Sequence, residues 1–330
     1  MPTPTMLQER ILLAISNGIL YRRHVTLAAT FTQAAVASAL RFNTDGRQIQ
    51  MTARGFSAFI ADTSAQAAYW TNGTVSGTAL DSASVADWTA VLPPLNVNDF
   101  VAVLTNVGGA TVAGTYPVTG VAAGNLTLGS APGNGTCTLR VERAPKVYTY
   151  DPDLSTETLT LYSATAAKGA VPTGCVNIGL YRDRIVMSGG TPGGWFMSRQ
   201  GDPYDWLYGT DYEDYARAVA GEVSEAGAIA KPITAQIIFS DDLIVWGCRD
   251  EIWVCRGDPA YGGQITNVSR MVGIIDSTAW CLGPSGEAYA LSEGGLIIIN
   301  PDGRLLQKYS NAPYSVYGGR GYGGGGGPVI

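Results

Sequence analysis

Apolar and polar residues alternate along most of this chain with a period of two, in short runs punctuated by Gly, Asn, Asp and Pro. That is the pattern of short, half-buried strands, and it predicts an all-β fold. The stretch that organises the rest is Tyr181 to Asp202, YRDRIVMSGGTPGGWFMSRQGD, because nearly the same order of residue types returns from Phe239 to Asp258, FSDDLIVWGCRDEIWVCRGD. In each copy an aromatic precedes a polar turn with an Asp (Asp183, Asp241). An apolar run follows (Ile185-Val186-Met187, Leu243-Ile244-Val245), then a Gly at the matching place (Gly189, Gly247). A second run carries Trp (Trp195-Phe196-Met197, Ile252-Trp253-Val254), and both copies close on Arg and then Gly-Asp-Pro. A looser third copy is EAYALSEGGLIIINPDG, Glu287 to Gly303. Units too small to bury their own apolar faces, repeated every few tens of residues, predict a β-propeller-like body of stacked hairpins.

Ahead of the repeat, ILLAISNGILYRR from Ile11 reads as strand, Asn17-Gly18 turn, strand. Val25 to Phe31 and Leu40-Arg41-Phe42 continue the alternation, Thr44-Asp45-Gly46 reads as a second hairpin turn into Gln48 to Met51, and the Ala-rich piece Gln33 to Leu40 has the composition of a short helix. From Thr71 to Glu142 the texture changes: Arg140 is the single basic residue among Thr, Ala, Gly, Val and Asn. Strands are expected near Phe100–Leu104, Gly114–Val121, Asn125–Leu128 and Thr136–Val141, enough for a small antiparallel barrel or sandwich. The flanks of this segment keep the hairpin style, so it reads as a module inserted in a loop of the body, where rigid scaffolds tolerate insertions. The expected organisation is a first propeller segment over 1–70, the inserted β module over 71–143, a second propeller segment over 144–317 and a flexible Gly-rich tail over 318–330.

Composition narrows the functional classes. Lys and Arg number 21 against 27 Asp and Glu, for a net charge of −6. A protein that grips phosphate backbones needs clustered cations instead. The single histidine, His24, leaves no His–His or Ser-His-Asp arrangement, and no general base for a Cys nucleophile. The nearest approaches to paired acids are Asp151-Pro152-Asp153, Asp241-Asp242 and Asp211 to Asp214. Asp at the head of a hairpin ordinarily caps its own turn. The glycines from Gly189 to Gly194 lack the Gly-Lys-Ser/Thr ending of a phosphate loop, and no calcium-loop spacing occurs. No catalytic residue, cofactor or metal site is therefore predicted. The five cysteines (137, 175, 248, 255, 281) contain no CxxC pair; Cys248 and Cys255 could face each other across a hairpin, but apolar flanks favour buried thiols in a reducing compartment. The opening residues lack the apolar core of a signal peptide, and no apolar run approaches a membrane span. A soluble protein made in a cytoplasm is expected.

One segment breaks the repeat. DPYDWLYGTDYEDYARAVAG, from Asp202, sets Tyr204, Trp206, Tyr208, Tyr212 and Tyr215 among acids, with a helical turn expected over Ala216 to Glu225. Tyr and Trp in a long acidic loop are the composition of a protein–protein anchor. A carbohydrate platform on Trp206 or Tyr208 is the other reading. Trp195, Trp246, Trp253 and Trp280, by contrast, fall on strand faces and are expected to pack between blades.

The run Tyr181 to Val186, with Trp195 to Ser198 and Gly201-Asp202-Pro203-Tyr204-Asp205-Trp206, resembles the blade signature of bacteriophage tail nozzle proteins, also called tail tubular proteins. Ile252-Trp253-Val254, Met271 to Ile274, Gly286 to Gly295 and Ile297 to Asn300 are similar in style. The inserted Asn98-Asp99-Phe100 and Gly114 to Val118 resemble small β domains of phage tail and head-completion proteins. The resemblance implies a non-enzymatic virion protein assembled in the host cytoplasm: a ring homo-oligomer, a hexamer, at the head–tail connector. It would dock adaptor or portal-side proteins and tail fibres while genomic DNA passes without specific binding during ejection. An acidic wall would repel DNA and let it slide. A carbohydrate-binding or carbohydrate-active propeller at a cell surface is the alternative expectation.

Overall fold

The computed structural model describes residues 11–16, 19–24, 30–34, 42, 49–62, 66–90, 100–143, 146–152, 157–189, 194–209, 211 and 213–308. The expected second hairpin turn at 44–46 and the tail fall outside these, as do most of the Ala-rich piece and of 25–31. Among the described residues every regular element is a strand or a short 3-10 turn.

Five antiparallel sheets follow one another along the chain. An N-terminal sheet joins Ile11–Ser16, Ile19–His24 and Thr32–Gln33, its first hairpin closing Ser16 on Ile19. Four four-stranded blades come next. Blade 1 holds Gln50–Arg54, Ser57–Asp62, Lys146–Asp151 and Thr158–Leu161. Blade 2 holds Asn177–Tyr181, Arg184–Ser188, Trp195–Met197 and Val219–Ala220. Blade 3 holds Ile233–Ser240, Leu243–Cys248, Ile252–Arg256 and Gln264–Ser269. Blade 4 holds Trp280–Leu282, Ala288–Ser292, Gly295–Ile299 and Leu305–Lys308. All three copies of the repeat supply the second and third strands of a blade.

The stacking explains the apolar runs. In Leu243–Cys248 the side chains of Ile244, Trp246 and Cys248 enter the core shared with blade 2, while Leu243 and Val245 enter the core shared with blade 4. Arg184–Ser188 behaves likewise, with Val186 facing blade 3 and Ile185 and Met187 facing blade 1. Blade 1 is buried on both sides too: Ile60 packs toward Leu20 of the N-terminal sheet, and Phe59 and Ala61 toward Ile178 of blade 2. Strands covered on both faces lose the polar half of the alternation and read as continuous apolar segments. Trp195 and Trp246 are fully buried and stack across the junction of blades 2 and 3, with ring centroids 5.5 Å apart.

The inserted module is a closed six-stranded barrel made of Gln66–Ser76, Ala79–Ser82, Phe100–Thr105, Gly114–Ala122, Asn125–Leu128 and Gly135–Arg143. It has its own core around Leu80, Trp88, Leu104, Val118, Leu126 and Leu139. Position 71 falls inside its first strand. The barrel leaves blade 1 after Asp62 and returns at Lys146, and those two residues are directly paired in adjacent strands.

The helical turn expected over Ala216 to Glu225 is not formed. Val219–Ala220 is instead the fourth strand of blade 2, with Val219 paired to Met197 and Ala220 to Phe196. The need to complete that sheet overrides the local preference of an Ala-containing segment. Four of the cysteines are buried and none is bridged; Cys281 is exposed, against the expectation of burial. Desolvation pushes the Cys175, Cys248 and Cys255 thiols up to about 12.

Candidate functional site

The aromatic and acidic segment after Trp195–Met197 is organised by one buried cation. Arg184 is 0% exposed, at the start of the second strand of blade 2. Its Nη1 donates to the carbonyls of Ser198, Ala216 and Arg217, at 3.0, 3.2 and 2.6 Å. Its Nη2 donates to the Tyr215 carbonyl at 2.8 Å and to Asp258 Oδ2 at 3.3 Å. One guanidinium thus holds both ends of the segment and ties it to blade 3. Burial lowers the Arg184 pKa, and the Asp258 carboxylate works against that shift. At the loop surface Arg199 grips Asp214 with two bonds, at 2.6 and 3.2 Å, which raises the Arg199 pKa and lowers that of Asp214.

This arrangement divides the five aromatics of the candidate interface. Trp206 is 1% exposed and lies in the core between blades 1 and 2 with Phe59, its Nε1 donating to Tyr162 Oη at 3.3 Å. Tyr204 and Tyr208 are half-buried against the same core, and burial raises the Tyr208 pKa. Tyr212 lies outside the described residues. Tyr215 alone of the described four is exposed, at 53%. Trp206 as a sugar-stacking platform is therefore corrected: its ring is closed off from solvent by Tyr162 and Phe59. Neither a protein-family profile nor a curated protein matches this chain.

Tyr215 has a partner that its own segment does not supply. The Tyr261 ring meets it edge-on with centroids 4.3 Å apart, and Tyr261 is itself 67% exposed. A usable signal was present in the repeat, since Gly-Asp-Pro is followed by Tyr204 in one copy and by Ala260-Tyr261 in the other. Both Gly-Asp-Pro runs form the same turn. Asp202 Oδ1 accepts the Tyr204 N–H at 2.9 Å, and Asp258 Oδ1 accepts the Ala260 N–H at 2.8 Å, the side-chain turn that Asp favours.

The Asp residues expected to cap the hairpin turns join blades instead. Arg182 and Asp183 occupy a two-residue turn, both with positive φ (49° and 60°). Arg54 of blade 1 binds Asp183 with two bonds, at 2.7 and 2.9 Å, and reaches the Gly201 carbonyl at 2.6 Å. Those bonds hold the Asp183 carboxyl below its ordinary pKa. Arg182 in turn donates from its backbone to Asp241 Oδ1 at 3.3 Å and from its guanidinium to Asp242 at 2.8 Å. Arg249 of blade 3 pairs with Glu293 of blade 4 at 2.5 Å. Every junction between successive blades thus carries an ion pair. The first strands of the four blades together line a cavity of about 600 Å³, with Gln50, Met51, Ile178, Gln236, Ile238 and Trp280 among its residues.

Among the described residues no group of three or more His, Cys, Asp or Glu side chains is placed to hold a metal ion. No helix there is long and apolar enough to cross a membrane.

Proposed function

We propose that this chain is a structural component of a bacteriophage tail. In this reading copies form a ring around the DNA exit channel and dock adaptor and fibre proteins through surface aromatics and the inserted barrel. The observation that supports it is how the charged groups of the body are used. Arg54–Asp183, Arg182–Asp242, Arg184–Asp258 and Arg249–Glu293 each bind one blade to the next. Such pairs fasten each blade to its neighbour, the use that a scaffold makes of its charges. In this reading the DNA passage is formed by the ring of subunits.

The barrel fits the docking role. It closes on itself, so it has no free strand edges, and it rides on two adjacent strands of blade 1. Tyr215 and Tyr261 offer a second contact, a pre-arranged pair of rings on a segment fixed by Arg184. Exposed Tyr held in one geometry gives up little rotamer freedom on binding. Light scattering and electron microscopy on the purified chain, with mass spectrometry of virions, test the reading. A closed ring present in particles is expected; a monomer absent from particles overturns it.

A further inference from the structure

A cleft lies between the outer strands of blade 1 and the segment that links the third and fourth strands of blade 2, apart from the Tyr215–Tyr261 pair. It encloses about 480 Å³, within the range of small-ligand sites. Its floor is one face of blade 1, where Thr149 lies opposite Thr160 and Asp151 opposite Thr158. Thr149 is also paired with Phe59, which sits in the apolar core. The same face therefore changes from hydrocarbon to hydroxyl and carboxylate as it runs outward. Asp202 and Tyr204 form the wall. Tyr204 is fixed at both ends, its N–H on Asp202 Oδ1 at 2.9 Å and its hydroxyl on Ser57 Oγ at 3.4 Å. Thr149 and Thr160 share a hydrogen bond at 3.0 Å.

The donor set selects the ligand. Among the described residues every polar side chain lining the cleft ends in a hydroxyl or a carboxylate, and none is cationic. The two carboxylates on the lining repel an anion. A divalent cation such as calcium wants six to eight oxygens in a shell, and no three-ligand grouping of His, Cys, Asp or Glu is present among the described residues. Hydroxyls donate and accept, and carboxylates accept pairs of donors, so the complement is a neutral molecule dense in hydroxyl groups. The Tyr204 ring adds the apolar surface that the C–H face of a pyranose needs. We propose that this cleft is a saccharide site, with Asp151 and Asp202 accepting sugar hydroxyls, Thr158 and Thr160 bonding to them, and Tyr204 lying against the ring. It is separate from the platform that Trp206 or Tyr208 would have formed, and it stands whether or not the chain is a tail component.

Saturation-transfer NMR on the full chain tests this, with methyl glycosides of glucose, galactose, mannose and their N-acetylamino counterparts as probes. Transfer to at least one glycoside is expected. Asp202→Asn and Thr158→Val should each weaken it by about tenfold, the loss of one hydrogen bond to a charged or well-placed group. Met271→Ala, exposed and outside the cleft, should leave it unchanged, and unaltered melting temperatures establish that the variants are folded. Three results overturn the proposal: no transfer from any probe, transfer that survives both cleft substitutions, or stabilisation by calcium alone that Asp202→Asn abolishes.

Discussion

Arg184 is the residue on which the candidate interface depends. It satisfies four backbone carbonyls and the Asp258 carboxylate from a fully buried position. Removing one member of a buried charged network costs more than the net worth of the bond, because the remaining groups stay desolvated. Arg184→Ala is expected to destabilise the chain by about 3–5 kcal/mol in urea unfolding. Arg184→Lys should recover only part of that, since an ammonium cannot reach five acceptors in a planar fork. Asp183 sets a different case. Arg54 lowers its pKa in the folded protein, so the pair stabilises above the ordinary carboxylate range and the contribution is lost as pH falls through the depressed folded value. Asp183 is largely solvent-exposed, which limits the effect to under about 1 kcal/mol. Asp183→Asn should therefore lower the melting temperature slightly at neutral pH and converge with the parent protein in acid. A difference that grows toward low pH would contradict this account.

Blades are joined where the repeat places glycine. A Cβ on Gly247 would lie 2.7–2.8 Å from the Ile274 side chain, on the segment entering blade 4. Gly189 has φ +91°, and a Cβ there would lie 2.5 Å from Val176 and 3.1 Å from the Ile233 carbonyl, where blade 3 begins. In both copies the chain that starts a later blade crosses close over the end of a second strand. Gly247→Ala should cost about 1–3 kcal/mol by overpacking, read as a lower unfolding midpoint with an unchanged slope. A neutral substitution would mean that Ile274 moves freely. The glycine match was legible in the sequence because close backbone approach leaves a residue-type signature at a fixed place. The blades were legible for a related reason, since burial on two faces writes long apolar runs such as Leu243–Cys248. The fate of Trp206 was not legible. Its neighbours are the polar residues of a loop, and the core that receives it is assembled from Phe59 and Tyr162, distant in sequence. Arg184 was hidden likewise, because a buried Arg looks like any strand-end cation until its acceptors are placed. Val219–Ala220 reads as helix in the sequence because a two-residue edge strand has no periodicity of its own.

At the scale of the whole molecule, the barrel is joined to the blades through one pair of strands. The barrel core around Leu80, Leu104, Leu126 and Leu139 shares none of its buried residues with the core between the N-terminal sheet and blade 1, or with those between the blades. Blade strands such as Leu243–Cys248 feed two cores at once, whereas the barrel strands feed only their own, so substitutions in the barrel core should add independently to those in the blades. The attachment geometry makes this testable. Asp62 and Lys146 are direct cross-strand partners, so their strands can be closed by a two-residue Asn-Gly hairpin turn once residues 63–145 are removed. The shortened chain is expected to keep its β-sheet circular dichroism and to unfold cooperatively, since the stacked cores of the blades remain whole. Loss of the barrel should abolish only whatever binding the barrel carries. A shortened chain that is molten or insoluble would show that the barrel supplies stability to the blades, and the scaffold would then be a single cooperative body and not a stack bearing a separate docking module.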